Sequence, residues 1–363
     1  MDKEILVIDG ACGTELQRLG YDVDVVEVSV GPVHVFFYWV HDSMLNANMP
    51  VLVDLSIADP LWSASLLLTN PQVIKDLHTS YLNAGADIIL TATYQASIPG
   101  LVQYANLTEA SASAVIAMAV RLAIEARDEF WAEQKACNKN GTLFNQHQYI
   151  RRPKPLVVGS VGPFGACQHD GSEFHGRYTD EMTIEELKQW HKPRIMELIQ
   201  NGVDLIAFET IPAEKEAIAL IQVLETFRGV KAWLSFVCKD DLHLNHGELF
   251  ADVMERFRNH NQIVAIGTNC TNPQNVDNLI QSCKRLDAYD KPFIAYPNSG
   301  ESWSVDRWDP TIPPVELSDY VQRWIKKGIR WIGGCCRTTP SDILKIRNKV
   351  DGIPKLKESK SLI

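Results

Sequence analysis

The sequence has no apolar stretch of the roughly 18–20 residues that a membrane-spanning helix needs. It also lacks a leader with an apolar core, since Met1-Asp2-Lys3-Glu4 runs straight into a β-like segment, and the expected compartment is the cytosol. Basic residues are in the minority, 35 Lys and Arg against 45 Asp and Glu. The formal net charge of -10 argues against nucleic acid or an anionic membrane as the main partner. Nucleotide signatures are missing too. No Lys-Ser/Thr follows Gly159-Ser160-Val161-Gly162-Pro163, so it is no phosphate loop, and no Gly-rich dinucleotide fingerprint occurs. No Cys-x-x-Cys is present, which weighs against thiol redox work. Without a secretory leader, the eight cysteines read as metal-binding or catalytic groups better than as a disulfide framework.

What is present is a repeated pattern. Short apolar runs occupy 5–8, 87–91, 156–161, 203–208, 232–237, 263–267, 292–296 and 330–333. Most are continuous and β-branched, as strands buried on both faces should be. Helix-like segments lie between them. Thr183-Ile184-Glu185-Glu186 reads as a capping box, and 213–227, 247–259, 275–285, 315–327 and 340–350 as further helices. Eight such units predict an α/β fold, a single-domain (β/α)8 TIM-type barrel over residues 1–350 followed by a tail at 351–363. Two segments break the rhythm: a polar loop at 138–154, and an apolar, aromatic insertion at 24–57.

In such a barrel, chemistry belongs at the C-terminal ends of the strands. Asp9, Thr93, Tyr94, Gly162, Glu209, Cys238, Cys270, Tyr296 and Cys335-Cys336 all fall there. Three thiolates suit zinc and leave one tetrahedral position open for a substrate thiol. Spacing alone does not choose the three, because Cys12, Cys167 and Cys238 lie near the same face, whereas Cys137 and Cys283 sit in helix-like segments and read as structural. A carboxylate at Glu209, after a very apolar strand, is costly unless paired, and an ammonium group would pair it. Asp9 beside Gly10 reads similarly. The polar run from Tyr296 to Glu301 could orient an amino-acid carboxylate or simply form a tight turn, and the rings of Tyr94 and Phe208 could equally line a cationic donor or pack in the core.

These pieces resemble the homocysteine S-methyltransferase family over nearly the whole chain. The matching runs are 9–16, Asp59-Pro60-Leu61-Trp62-Ser63-Ala64, Thr91-Ala92-Thr93-Tyr94-Gln95, 159–163, Phe208-Glu209-Thr210, Gly267-Thr268-Asn269-Cys270, 296–301 and Gly333-Gly334-Cys335-Cys336. The resemblance implies a zinc (Zn2+) site at Cys270, Cys335 and Cys336, with homocysteine sulfur completing the shell. It places the homocysteine amino group on Glu209, with Asp9 nearby. With the residue-level readings, the expected substrate-binding set is Asp9, Gly10, Thr93, Tyr94, Glu209, Asn269, Tyr296 and Ser299. The implied reaction is methyl transfer to homocysteine, giving methionine. The implied partners are small molecules, with S-methylmethionine or S-adenosylmethionine favoured as donor over betaine. A barrel that binds zinc and homocysteine without turnover is the contrasting class. The insertion at 24–57 interrupts an otherwise contiguous family motif. It reads either as a translated intron, the preferred account, or as a lid or partner-binding loop.

Overall fold

The computed structural model of the protein describes residues 4–21, 28–30, 33–42, 47–54, 64–139, 152–168, 170–283, 291–301, 303–304, 307–308 and 311–353, with backbone only for 28–54, 137–139 and 303–308. Eight parallel strands form one sheet: β1 (Leu6–Val7), β2 (Ile88–Leu90), β3 (Leu156–Val161), β4 (Leu205–Ile211), β5 (Ala232–Phe236), β6 (Ile263–Asn269), β7 (Phe293–Tyr296) and β8 (Ile329–Ile332). Their order is β1-β8-β7-β6-β5-β4-β3-β2. The two ends then meet. Ile8 bridges Ile88 in parallel, the Asp9 amide donates to the Ile88 carbonyl at 3.0 Å, and Asp87 donates to Val7 at 2.7 Å. The barrel is therefore closed by hydrogen bonds, and the eight-unit pattern is its cause.

An outer helix follows each strand: α1 (Pro71–Ala84), α2 (Glu109–Lys139), α3 (Ile184–Gln200), α4 (Glu214–Glu225), α5 (Phe250–Phe257), α6 (Pro273–Ser282), α7 (Val321–Lys326) and α8 (Pro340–Asp351). The expected capping box is formed, with Thr183 and Glu186 each bonding the other's backbone N–H at the start of α3. The helix expected over 315–327 is instead a 3₁₀ turn, Leu317–Asp319, followed by α7. The start of the expected loop at 138–154 is still helical, because α2 runs to Lys139, and 140–151 lie outside the described residues. No single helix among the described residues is long and apolar enough to cross a membrane.

Period-two alternation sorts the strand side chains into two cores. Outward residues such as Val157, Phe208 and Leu234 pack under the helices. Inward residues form a separate plug of Ile8, Ile88, Val158, Ala207, Trp233, Ala265, Ile294, Tyr296 and Trp331. Its indoles meet edge to face, with Trp233 and Trp331 centroids 5.8 Å apart, worth about 0.5–1.5 kcal/mol beyond area burial. This plug is the floor on which the site stands. Within the insertion, the strands Val28–Val30, Val33–Asp42 and Ala47–Asp54 pair antiparallel into a separate three-stranded sheet.

Candidate active site

The same alternation builds the first ring above the plug. Ser160 stands two residues beyond Val158, Glu209 beyond Ala207, Ser235 beyond Trp233 and Tyr296 beyond Ile294. All four are buried. Ser160 donates to Glu209 Oε1 through a very short bond. Ser235 donates to Asn269 Oδ1 at 2.8 Å and shares a 2.7 Å bond with the Tyr296 hydroxyl, which also accepts from Trp233 Nε1 at 3.0 Å. The polar ring is thus anchored to the aromatic floor. Phe208, for which donor lining and core packing were both open, packs in the core: alternation turns it outward under the helices.

Above this ring, the sulfurs of Cys270, Cys335 and Cys336 lie within 4.8 Å of one another, and Cys270 and Cys336 are 3.5 Å apart. This is the one such thiol cluster among the described residues. Cys167 donates instead to the Gln95 carbonyl at 3.5 Å, and Cys283 to its own helix at 3.6 Å. Burial pushes the Cys12 and Cys238 thiols up to about 12. The described residues stop short of the Cys137 side chain. Hydrogen bonds from Cys270 and Cys335 hold Cys336 well below its ordinary value.

Backbone stitching brings the three together. Cys270 N donates to Tyr296 O at 3.2 Å, Cys335 N to Pro297 O at 2.7 Å, and Ser299 N to Cys336 O at 3.1 Å. Gly334 N reaches Asp9 O at 3.1 Å, which draws β1 into the group. Gly10 is needed there, since a Cβ would lie 2.8 Å from the Tyr81 hydroxyl and 2.9 Å from Thr338 O. Three non-glycine residues at this mouth hold left-handed backbone: Thr210 at φ 57°, Cys270 at 49° and Arg337 at 61°. For a β-branched threonine this is a strained state. Asn269 maintains it, accepting from Thr210 N at 2.7 Å and donating to Thr210 Oγ1 at 2.8 Å. The sheet register also shifts between Phe208 and Ile211, a bulge at Glu209-Thr210.

Two carboxylates face the cluster. Burial pushes Glu209 up to about 7, partly offset by the Ser160 bond, and Cys335 raises it further. Burial likewise raises Asp9 well above its ordinary value, with Glu209 and Cys335 adding repulsion. Asp9 Oδ2 accepts from Leu90 N at 2.8 Å, while Oδ1 is buried with no partner among the described residues. No described Lys, Arg or His forms an ion pair with either carboxylate. Burial thus favours the protonated form of both carboxyls, and a ligand's ammonium would supply the counter-charge that draws them to the carboxylate.

The other expected residues fall as follows. Thr93 is buried, bonded to Thr91 Oγ1 and the Ser160 carbonyl, each at 2.7 Å. Tyr94 faces Thr210 across the mouth, in space left by Gly162, where a Cβ would come within 2.6 Å of its ring. Ser299 donates to Glu301 at 2.5 Å, and Glu301 accepts from Arg337 at 2.6 Å. Of the segment 59–64, only Ala64 is described.

Sequence reasoning missed a buried brace under the Tyr94 loop. Arg194 of α3 donates to Tyr94 O at 2.8 Å and Gly162 O at 2.7 Å, and its neighbour His191 bonds Glu216 at 2.8 Å. The signal was available: a histidine and an arginine lie on the buried stripe of α3 beside Leu187, Ile195 and Leu198.

A family model described as homocysteine S-methyltransferase matches residues 6–350. The chain is 37% identical over 344 residues to homocysteine S-methyltransferase YbgG of Bacillus subtilis, covering 94% of this chain and 93% of that protein. It is 38% identical over 320 residues to a betaine-homocysteine S-methyltransferase of Drosophila melanogaster, covering 86% and 92%. The metallated form of the homocysteine methyltransferase MmuM from Escherichia coli superposes with a TM-score of 0.72 at 34% identity, covering 95% of this chain and 96% of that one. Matched from the first barrel strand to the last outer helix, the chain belongs to the homocysteine S-methyltransferase family.

Proposed function

We propose that this enzyme transfers a methyl group from a sulfonium donor, S-methylmethionine or S-adenosylmethionine, to homocysteine sulfur, with zinc held by Cys270, Cys335 and Cys336. The observation that carries the reading is the cluster of three thiols beside two buried carboxylates that lack a counter-cation. The donor set fits the ion. Tetrahedral zinc with bonds of about 2.3 Å sets its sulfurs about 3.8 Å apart, and the three thiols already lie within 4.8 Å of one another. Zinc bound there would keep the homocysteine sulfur a nucleophilic thiolate at neutral pH.

The protein's own residues supply alignment. Glu209 and Asp9 hold the homocysteine ammonium, and Ser160 fixes the Glu209 rotamer. The β7 loop, from Tyr296 to Ser299, lies where the substrate carboxylate is oriented, and Gly10 lets the β1 and β8 loops close around it. Asn269 locks Thr210 next to Glu209, and Thr93 fixes the strand carrying Tyr94, which flanks the donor. In the transfer, homocysteine sulfur loses its proton to solvent and forms a bond to the methyl carbon. The donor C–S bond breaks, its electron pair stays on the donor sulfur, and the sulfonium becomes a neutral thioether. Alignment of the two sulfurs in line with the methyl is the largest service such a site can give.

The test is methionine formation from homocysteine by the zinc-loaded chain, with S-methylmethionine, S-adenosylmethionine and betaine in parallel. Turnover with a sulfonium donor is expected. Turnover with betaine alone would transfer the reading to the betaine-using branch. Zinc and homocysteine binding without methionine would leave a non-catalytic barrel. We read residues 1–350 as one barrel domain with 351–363 as a tail, and a chain lacking 24–57 belongs in the same assay, because it shows whether the insertion hinders turnover.

A further inference from the structure

Glu173 belongs to none of the groups assigned above. It sits in the turn Ser172–Phe174 beyond β3, at the same end of the barrel as the thiols. The turn is held firmly: Ser172 N donates to Asp170 Oδ1 at 2.9 Å, and Ser172 Oγ to Gly165 O at 3.3 Å. Its backbone packs on Gly165 so closely that a Cβ there would lie 2.6 Å from Glu173 N. Glu173 Oε2 is buried without a hydrogen-bond partner among the described residues, and no described cation forms an ion pair with it. Burial pushes this carboxyl up to about 7.

Its position relative to the thiols is informative. The Asp9 and Glu209 charges are felt at Cys12, and both repel Cys335. Glu173 shares the β3 loop with the seat of Tyr94: Gly165, on which its backbone packs, lies three residues beyond Gly162, which makes room for the Tyr94 ring, and the Glu173 charge is the foremost acting on that phenol, ahead of Glu209. Asp9 and Glu209 thus lie toward Cys335, whereas the β3 loop groups Glu173 with Tyr94. An amino-acid acceptor brings one ammonium, which Glu209 and Asp9 take. Glu173 is left for the other cationic reactant.

We propose that Glu173 binds the cationic centre of the methyl donor; this deepens, and rests on, the methyl-transfer reading above. The physical consequence is asymmetric. The attraction is greatest for the intact onium and fades as the donor becomes a neutral thioether, so the carboxylate captures donor and lets product go. It does not favour the transition state over bound donor, and its removal should raise the donor KM without lowering kcat.

The experiment compares wild type, Glu173→Gln and Glu173→Asp as zinc-loaded full chains, varying S-methylmethionine at saturating homocysteine. Glu173→Gln should raise the donor KM roughly tenfold or more, with kcat, the homocysteine KM and zinc content unchanged. Glu173→Asp, which keeps the charge but shortens its reach, should fall between the two. An unchanged donor KM in either variant, or an equal rise in both KM values, overturns the proposal. If the wild type makes no methionine from any donor, the methyl-transfer reading fails first. Calorimetric titration of the zinc- and homocysteine-loaded protein with S-methylmethionine then decides Glu173 separately. Weaker binding to Glu173→Gln supports it, and equal binding, or none to either protein, overturns it.

Discussion

Asp87, at the foot of β2, and Asp9 and Glu209, at the mouth, are comparably buried, at 7%, 3% and 6% exposure. Asp87 is fully matched. Arg347 and Arg152 both bond it, the latter at 3.1 Å, and Val7 N donates at 2.9 Å. Asp204 repeats the device at the foot of β4, with Arg127 at 2.9 Å and Val157 N at 2.8 Å. At the mouth, no described cation forms an ion pair with either carboxylate, one oxygen of Asp9 has no partner, and Thr210 and Cys270 hold strained backbone nearby. Charge at the foot is completed by the chain itself and serves stability. Charge at the mouth is left open and awaits a ligand, which is how a barrel divides the two tasks between its ends.

The largest effect should come from removing a thiol. Cys336→Ser should lose bound metal and lower methionine formation by about a thousandfold, the several kcal/mol that a metal contributes. Metal analysis beside the methionine assay checks this, and full activity without metal would break the comparison at its centre.

The contrast between the ends is sharpened next by a pair of isosteric variants. Asp87→Asn takes from buried Arg347 the nearer of its two carboxylates, leaving only half-exposed Asp351 at 3.2 Å, and should cost about 3 kcal/mol in urea unfolding. Glu209→Gln should leave the metal-free protein as stable as wild type or more so, while kcat/KM for homocysteine falls roughly 10- to 100-fold. Equal destabilisation by both variants would show that the mouth carboxylates are structural.

The smallest effect is in pH. Glu209 is raised in the folded state to about 7 from an ordinary value near 4.5, so the folded protein holds the proton longer than the unfolded chain. Its contribution to stability is full below about 4.5 and is lost as pH rises toward 7, amounting to at most about 3 kcal/mol. Subtracting the Glu209→Gln stability profile of the metal-free protein from that of wild type isolates this slope. A flat difference across that window would mean that Glu209 ionises normally on folding.

The barrel was legible because buried parallel strands must be continuously apolar, and eight such runs leave few other arrangements. The strand-end rule then located Asp9, Glu209, Cys270, Cys335 and Cys336 without any contact being known. For Phe208 the sequence left donor lining and core packing equally open, and period two decides for the core by sending it to the face opposite Glu209. Glu173 and Arg194 escaped for another reason. Arg194 left a local trace on the buried stripe of α3, but its partners Tyr94 and Gly162 lie elsewhere in the chain, and nothing local marks Glu173 as a buried carboxyl without a partner among the described residues.

By itself, the sequence determined the number of barrel units, the capping box at Thr183 and the residue types available at the strand ends, because all of these follow from local periodicity and side-chain chemistry. Family resemblance narrowed the choice among the cysteines, but the tertiary structure alone decided which thiols meet. It likewise decided which buried carboxylates find arginines and which stay open, and where the backbone must turn left-handed. Those outcomes depend on the closure of β1 against β2 and on loops stitched across β7 and β8, which join residues far apart in the chain, Ile8 with Ile88, Pro297 with Cys335 and Asp9 with Gly334.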